Sequence, residues 1–333
     1  MNIVAPSCHI IGVIGSGAWG TTLAYVLALN GHTVVMWSFE QTVADIIQKN
    51  HINDYYIPEM ILPDSVTATT DLLSVCKEAS ILIYASPTRF LSTIFESVPI
   101  ELIRSKTWVL SSKGLEQVDG FHVVDLFFQS IPAHRDNVTV LSGPTFAVEL
   151  CKKNKTVAMV AGFNNEVTHF VKQLFQNDFF KLYISDDVQG LVWCGVLKNI
   201  AALLWGMLEG IECSSNTRAF LFVRMIQEMA LWVELIGGNK ETVYSFGGLG
   251  DFYLTAHFGL SKNRLYGTYI AQGFTDEDIR KKIPTVPEGV MSMQSLYNRI
   301  ADQKNQKKFP LLVGIYMVLQ KRISLEEFIH SVW

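Results

Sequence analysis

The sequence predicts an α/β protein, with a parallel, doubly wound sheet followed by an all-α C-terminal domain. Three observations carry this. Strand-length apolar runs alternate with helical patterns from His9 to Ile184. From about Asp187 to Trp333 helical periodicity replaces the alternation. The first apolar run also ends in a turn of small residues that opens a helix, Gly15-Ser16-Gly17-Ala18-Trp19-Gly20. The expected division is therefore residues 1–186, an α/β domain opening on the glycine turn, and residues 187–333, an α-helical domain.

His9 to Ile14 is the first strand. Thr21 to Asn30 follows as a helix, with Leu23, Ala24, Val26, Leu27 and Ala28 on its apolar face, and Asn30-Gly31 stops it. Thr33 to Trp37 is the second strand and Glu40 to Asn50 the second helix. Residues 51–64, with Pro58 and Pro63, read as loop. Further strands are expected at Val66–Thr69, Ser80–Ala85, Thr107–Ser111, Val138–Leu141, Thr156–Ala161 and Phe180–Ile184. Helices are expected near Asp71–Glu78, after Pro87, at Val123–Ser130 and at Glu166–Gln176. Beyond Asp187, Val188–Glu209 and Asn216–Leu235 are apolar on more than one face and read as buried helices. Shorter helices follow near Leu249–His257, Arg264–Gln272, Thr275–Lys281, Val290–Ile300, Pro310–Leu319 and Ser324–Ser331. Ser324-Leu325-Glu326-Glu327 has capping-box spacing.

Gly15, Gly17 and Gly20 stand at G-x-G-x-x-G spacing within a strand–helix–strand unit, the fingerprint of a Rossmann-type dinucleotide site. Gly15 lets the chain turn sharply out of the strand. Gly17 lets a pyrophosphate approach the main chain. Gly20 lets the helix pack close to the strand. The helix N-terminus supplies unpaired N–H groups and a positive dipole end.

Composition narrows the rest. The 333 residues suffice for two cores, and 49% hydrophobic with 17% charged residues describes an ordered globular chain. A net charge of −4 with no basic block gives no attraction for nucleic acid or anionic membrane. Met1 to Pro6 lacks a basic segment ahead of an apolar core, so no signal peptide is expected. No uninterrupted apolar stretch of about 18 residues occurs, so no membrane span is expected. The five cysteines are scattered without C-x-x-C, and the histidines lack ligand spacing; a reduced, cytoplasmic protein without a metal is the plain expectation.

Ligands of open parallel sheets bind at the carboxyl ends of strands. Besides the glycine turn, two strand ends carry polar groups: Ser111-Ser112-Lys113-Gly114 and Ser142-Gly143-Pro144-Thr145. Lys113 suits a phosphate or carbonyl oxygen, or is a surface lysine beside a turn. Lys198-Asn199 lies inside an apolar helical run, where a lysine must snorkel, pair or act as an acid or base. Asp251, after Gly247-Gly248-Leu249-Gly250, either caps the next helix or pairs with Lys198. Ser261-Lys262-Asn263-Arg264 suits a phosphate or an ordinary solvated helix start.

In this order, these motifs resemble the bacterial NAD(P)-dependent glycerol-3-phosphate dehydrogenase family. The resemblance also takes in Leu115-Glu116, Phe146-Ala147 and Val286-Pro287-Glu288-Gly289, and runs over nearly the whole chain. It implies a Rossmann domain followed by a helical domain, and hydride transfer between NAD(P)H and dihydroxyacetone phosphate in phospholipid synthesis. The resemblance implies cofactor contacts at Ala18, Trp19, Lys113, Ala147, Lys262, Val286 and Glu288. It puts Lys113, Gly143 and Thr145 on the substrate. Lys198 would be the proton donor, Asp251 its orienting partner, and Ser261, Lys262 and Asn263 the phosphate end.

Three departures from the family pattern bear on function. Lys262 stands where the family usually has arginine, keeping the charge but losing the two-pronged fork. Phe39-Glu40 stands where a basic residue often meets a 2′-phosphate, which implies a preference for NADH. Trp205 to Gly210 and Val223-Arg224-Met225 replace smaller or more polar residues near the helix of Lys198, with consequences expected for turnover. The competing readings are a related dehydrogenase of another hydroxy acid or phosphate, and a catalytically silent dinucleotide sensor. The apolar helices of the second domain suit either a homodimer contact or burial within one chain.

Overall fold

A computed structural model describes residues 8–96, 98–116, 120–130, 135–258, 261–302 and 305–333. The chain forms two compact units, Met1–Ser112 with Val124–Val188, and Lys113–Val123 with Gln189–Trp333. A boundary at 186/187 has no place for the short excursion Lys113–Val123, which groups with the helical unit. Hydrogen bonds from its backbone to two serine side chains of the helical unit support that grouping: the Leu115 N–H donates to Ser292 Oγ, and Ser295 Oγ donates to the Glu116 carbonyl.

Among the described residues the first unit holds ten strands: β1 (Ile10–Ile14), β2 (Thr33–Trp37), β3 (Ile52–Asn53), β4 (Ile57–Ile61), β5 (Val66–Thr69), β6 (Ile81–Tyr84), β7 (Thr107–Leu110), β8 (Val138–Ser142), β9 (Thr156–Gly162) and β10 (Phe180–Ser185). Eight of them form one sheet in the order β10-β9-β8-β7-β6-β1-β2-β5. Strand order reverses between β1 and β6, which pair in parallel with Gly12 opposite Leu82. Ligand crevices of doubly wound sheets open at such a reversal. β6 is buried along its whole length, as a central strand covered on both faces must be.

Two expectations are corrected. The sheet is not wholly parallel, because β9 runs antiparallel to β8. Their connection, residues 143–155, contains only the five-residue helix Ala147–Cys151, too little for the crossover a parallel return requires. Residues 51–64 are also more than loop, since β3 and β4 form a small antiparallel ribbon. Pro58 is compatible with it because on the outer edge of a two-stranded ribbon no backbone N–H is needed for pairing.

The second unit is helical. Its elements include Val188–Gly210, Ser215–Leu235, Asp251–His257, Lys262–Ala271, Asp276–Lys282, Glu288–Asp302, Pro310–Leu319 and Leu325–Val332. Val188–Gly210 is long and apolar enough to cross a membrane, but 94% of its most apolar window is buried inside the protein. It is the spine of a core with Trp193, Leu197, Ile200, Trp232, Phe252 and Phe309. Glycines let another helix lie directly on it. A Cβ at Gly206 would strike the Arg264 carbonyl, and one at Gly267 would strike the Leu203 carbonyl. This close packing sets the start of Lys262–Ala271 beside the spine. Of the departures flagged above, Trp205 and Met225 are buried in this core, whereas Val223 is 55% exposed.

Several helices of this unit start on a side-chain cap, at Ser214, Ser261, Thr275 and Ser324, the last being the expected capping box with Glu327. Pro310–Leu319 has no cap of its own and borrows one. The buried Glu228 carboxylate accepts the N–H groups of Leu311 (2.9 and 3.1 Å) and Leu312 (3.1 Å). Burial pushes the Glu228 carboxyl up to about 7, opposed by those two N–H groups and by Arg224. A folded-state pKa above the unfolded value means that the native state binds the proton more tightly. Stability therefore falls as pH rises from about 4.5 to about 7, by about 3 kcal/mol. Glu228→Gln keeps an acceptor and removes the charge, so that pH dependence is expected to disappear. Glu228→Ala leaves both N–H groups unpaired and is expected to cost about 2–4 kcal/mol. Urea denaturation at pH 5 and pH 8, followed by tryptophan fluorescence, checks both outcomes.

Candidate functional site

In the first unit, the turn after β1 has the geometry that a dinucleotide requires. Gly15 sits at φ +120°, where a side chain is strained. A Cβ at Gly20 would collide with the Gly15 carbonyl, whereas one at Gly17 would meet nothing within 4 Å. The glycine that should face the pyrophosphate is thus the one with open space beside it. The helix Ala18–Leu29 begins with no side-chain cap and no acidic residue in its first turn, leaving its dipole end to a ligand. These residues fit a bound dinucleotide.

The turn is held from behind. Asn53 Nδ2 donates to the Ser16 carbonyl and to Thr21 Oγ1, both at 2.8 Å. Ser16 Oγ and Ser38 Oγ are 2.7 Å apart. Sequence reasoning missed Asn53, because its signal lay in a stretch read as loop. At the end of β2, Phe39 is 81% exposed and Glu40 is exposed at the start of the helix Gln41–Asn50. At the end of β8, Thr145 Oγ1 donates to the Gly143 carbonyl at 3.3 Å. Ala147 opens the helix that meets Ala18–Leu29, where Cys151 Sγ and Thr22 Oγ1 are 3.1 Å apart.

In the second unit, three charged side chains converge. Asp251 is 1% exposed. Its Oδ1 accepts from Lys198 Nζ at 2.9 Å and its Oδ2 from Lys113 Nζ at 2.7 Å. Lys198 Nζ also donates to Thr255 Oγ1 at 2.8 Å, and Thr255 Oγ1 donates to the Asp251 carbonyl at 2.7 Å. Asp251 is therefore a partner of Lys198 and not the cap of its helix, whose preceding residue Gly250 makes no side-chain cap. Thr255 lies four residues beyond Asp251, one helical turn on and on the same face, a spacing the sequence reading passed over.

The electrostatics follow from burial. Loss of water pushes Lys198 down to about 8, with Lys113 adding to the fall and Asp251 opposing it. Burial works against the Asp251 charge, yet the two ammonium groups prevail and hold its carboxyl below the usual range. Two cations on one anion leave an excess positive charge in a nearly dry setting. Such a cluster suits an electron-rich oxygen, and Lys198 has the acidity to give or take a proton near neutral pH.

The expected phosphate end is partly structural. Ser261 Oγ caps Lys262–Ala271 by accepting the Arg264 N–H at 3.3 Å. Asn263 Nδ2 donates to Asn199 Oδ1 at 3.1 Å, and Asn263 Oδ1 accepts the Gly289 N–H at 2.8 Å. Asn263 thus ties three helices together next to Lys198. Lys262 is exposed. Arg264 is engaged by Glu209, with Nη1 at 3.1 and 2.9 Å from the two carboxylate oxygens. Glu288 opens its helix with its carboxylate against Gly114, where any Cβ would strike it, and Val286 is half-buried just before. The structure thus brings Lys113, Lys198 and Asp251 together in the second unit. Gly15, Gly17, Ala18, Trp19, Gly20, Phe39, Glu40, Gly143, Thr145 and Ala147 belong to the first.

Comparison with known proteins agrees with both halves. The sequence model for the NAD-dependent glycerol-3-phosphate dehydrogenase N-terminus matches residues 10–168, and the one for its C-terminus matches residues 187–330. Glycerol-3-phosphate dehydrogenase [NAD(P)+] of Bacillus pumilus is 34% identical over 96% of this chain and 93% of its own. The enzyme of Enterococcus faecalis is 32% identical over 93% of this chain and 91% of its own. The crystal structure of glycerol-3-phosphate dehydrogenase from Coxiella burnetii superposes with a TM-score of 0.90 at 26% identity, covering 98% of each chain. The chain belongs to the NAD-dependent glycerol-3-phosphate dehydrogenase family.

Proposed function

We propose that the protein interconverts dihydroxyacetone phosphate and sn-glycerol 3-phosphate, using NAD(H) or NADP(H), in the cytoplasmic supply of glycerol 3-phosphate for phospholipids. The observation that carries this is the buried Lys113–Asp251–Lys198 cluster with its single aspartate and excess positive charge. Bound NAD(P)H supplies the hydride that reaches the substrate's carbonyl carbon.

The protein's own residues manage charge and protons. Lys198, as ammonium, hydrogen-bonds the carbonyl oxygen and gives it a proton as negative charge develops there. In the oxidation direction the neutral amine takes the hydroxyl proton back. Asp251 and Thr255 fix the Nζ direction, and Asp251 keeps a second cation, Lys113, beside it. Lys113 polarises the same oxygen without itself transferring a proton. Ser261, Lys262 and Asn263 form the phosphate end, in which Lys262 brings charge and Asn263 anchors its helix to Asn199. Gly15, Gly17, Gly20, Ala18, Trp19 and Ala147 hold the dinucleotide, and Val286 and Glu288 close on it. Pre-positioning and electrostatic stabilisation of the developing alkoxide provide the rate.

Lys198→Ala is expected to lower kcat for dihydroxyacetone phosphate reduction by about 10²–10⁴-fold while NADH binding survives. Retained NADH binding with no turnover of dihydroxyacetone phosphate by the wild type would instead mark a silent sensor. Because Lys198 works as an acid in reduction, kcat/KM for reduction should fall as pH rises through about 8. For oxidation of sn-glycerol 3-phosphate it should rise through the same value. Matched pH profiles in the two directions check the sign.

The preference for NADH rests on exposed Phe39 and Glu40, which offer a 2′-phosphate an aromatic ring and a like charge. NADH is expected to exceed NADPH in kcat/KM by about tenfold or more, and Glu40→Arg to narrow the gap. A wild-type preference for NADPH overturns it.

A further inference from the structure

We propose that Ser292 is a positioning residue that fixes Lys113 against Asp251 by anchoring the backbone of the Lys113–Val123 segment. The inference rests on the dehydrogenase reading for its consequence, but its geometry stands apart from it.

The segment is laid along one helix, Glu288–Asp302. Ser292, 1% exposed, accepts the Leu115 N–H at 2.9 Å. One turn further, Ser295 Oγ donates to the Glu116 carbonyl at 3.1 Å. The Glu116 N–H donates to the Phe121 carbonyl at 2.7 Å, and Leu115 bridges His122, so the segment doubles back on itself. Its return limb is held too, with His122 Nε2 and Gln189 Oε1 2.9 Å apart and the Arg299 guanidinium 5.6 Å from the Phe121 ring. The Leu115 side chain is sunk in the core of the unit. Leu115 is therefore a fixed point, and Lys113 stands two residues before it.

Between them lies Gly114, against which the Glu288 carboxylate rests. That leaves the backbone of Lys113 little freedom once Leu115 is held. A lysine side chain has many rotamers and keeps one geometry only if its root is fixed. Removing the Ser292 hydroxyl leaves the Leu115 N–H buried without an acceptor, and the segment gains freedom. The groups facing Lys198 are Asp251, Lys113 and the Thr255 hydroxyl. If Lys113 draws away, one cation leaves that set, and Lys198 holds its proton to higher pH.

The test compares wild type, Ser292→Ala, Ser292→Thr and Lys113→Met. Amine acetylation read by mass spectrometry is independent of any enzymatic activity. In Ser292→Ala the labelling rate at Lys113 is expected to rise about fivefold, with Lys198 labelled no faster than in wild type and the exposed Lys240 unchanged. In dihydroxyacetone phosphate reduction, Ser292→Ala should lower kcat/KM about five- to tenfold and move the limb near pH 8 upward, in the direction Lys113→Met moves it. Ser292→Thr, which keeps the acceptor, should restore both. Unchanged labelling at Lys113 overturns the inference. Labelling that rises equally at Lys113 and Lys198 overturns it as well, because the serine would then support the fold at large. If acetylation behaves as expected while Lys198→Ala and Lys113→Met turn over dihydroxyacetone phosphate like wild type, the positioning stands and the proposed roles of Lys198 and Lys113 in the reaction fall.

Discussion

One buried aspartate shared by two lysines sets the terms for the helical unit. Withdrawing an ion from water costs several kcal/mol even after relaxation, and three such groups are nearly dry here. The cost is acceptable only because each carboxylate oxygen meets its own ammonium group, at 2.9 and 2.7 Å. The three residues come from three distant parts of the chain, so each element must be delivered accurately. Lys198 rides on the long, buried apolar helix Val188–Gly210. Asp251 starts a helix straight after the glycine-rich π-helical turn Phe246–Gly250, in which a Cβ at Gly248 would collide with the Val243 carbonyl. Lys113 arrives on a segment borrowed from the neighbouring unit's stretch of chain. Much of the unit's sequence is explained by the need to bring these three together.

What could be read beforehand divides along a physical line. Periodicity and caps are local, so the helices from Val188 onward, the strands with Ile, Val and Leu runs, and the Ser324 capping box were legible. The G-x-G-x-x-G turn was legible because each glycine has a separate steric duty, and the open space at Gly17 contrasts with the collision at Gly20 as that division of duties requires. Strand direction is not local. Nothing in Thr156–Gly162 marks it as antiparallel to β8; that follows from the length of the connection. Nor is there a local sign that Asn53, in a stretch with two prolines, reaches the Ser16 carbonyl.

The site shows the same boundary. Lys198 stood out since a lysine within an apolar helix needs a reason, and a pairing with Asp251 was one of the alternatives. The reading of Lys113 as a surface lysine was equally natural, because its partner is 138 residues away. Thr255, Asn199 and Ser292 were missed for a common cause. They are small neutral side chains whose roles exist only through hydrogen bonds made after folding.

The departures at the phosphate end are coupled to one another. In Ser261-Lys262-Asn263-Arg264 the arginine is not at liberty, since Glu209 grips its Nη1 through both oxygens. The serine is occupied as a helix cap and the asparagine as a three-helix tie. That leaves Lys262 as the exposed cation of the motif, a point charge where a fork is usual. A point charge holds a phosphate without fixing its orientation. On the proposed reading of Lys262 as the phosphate's cation, orientation of the substrate would come mainly from the other end of the molecule, where Lys113 and Lys198 are locked to Asp251. The rigidity of the aspartate cluster would then compensate for a looser hold on the phosphate, and the anchoring of Lys113 would matter more than beside an arginine.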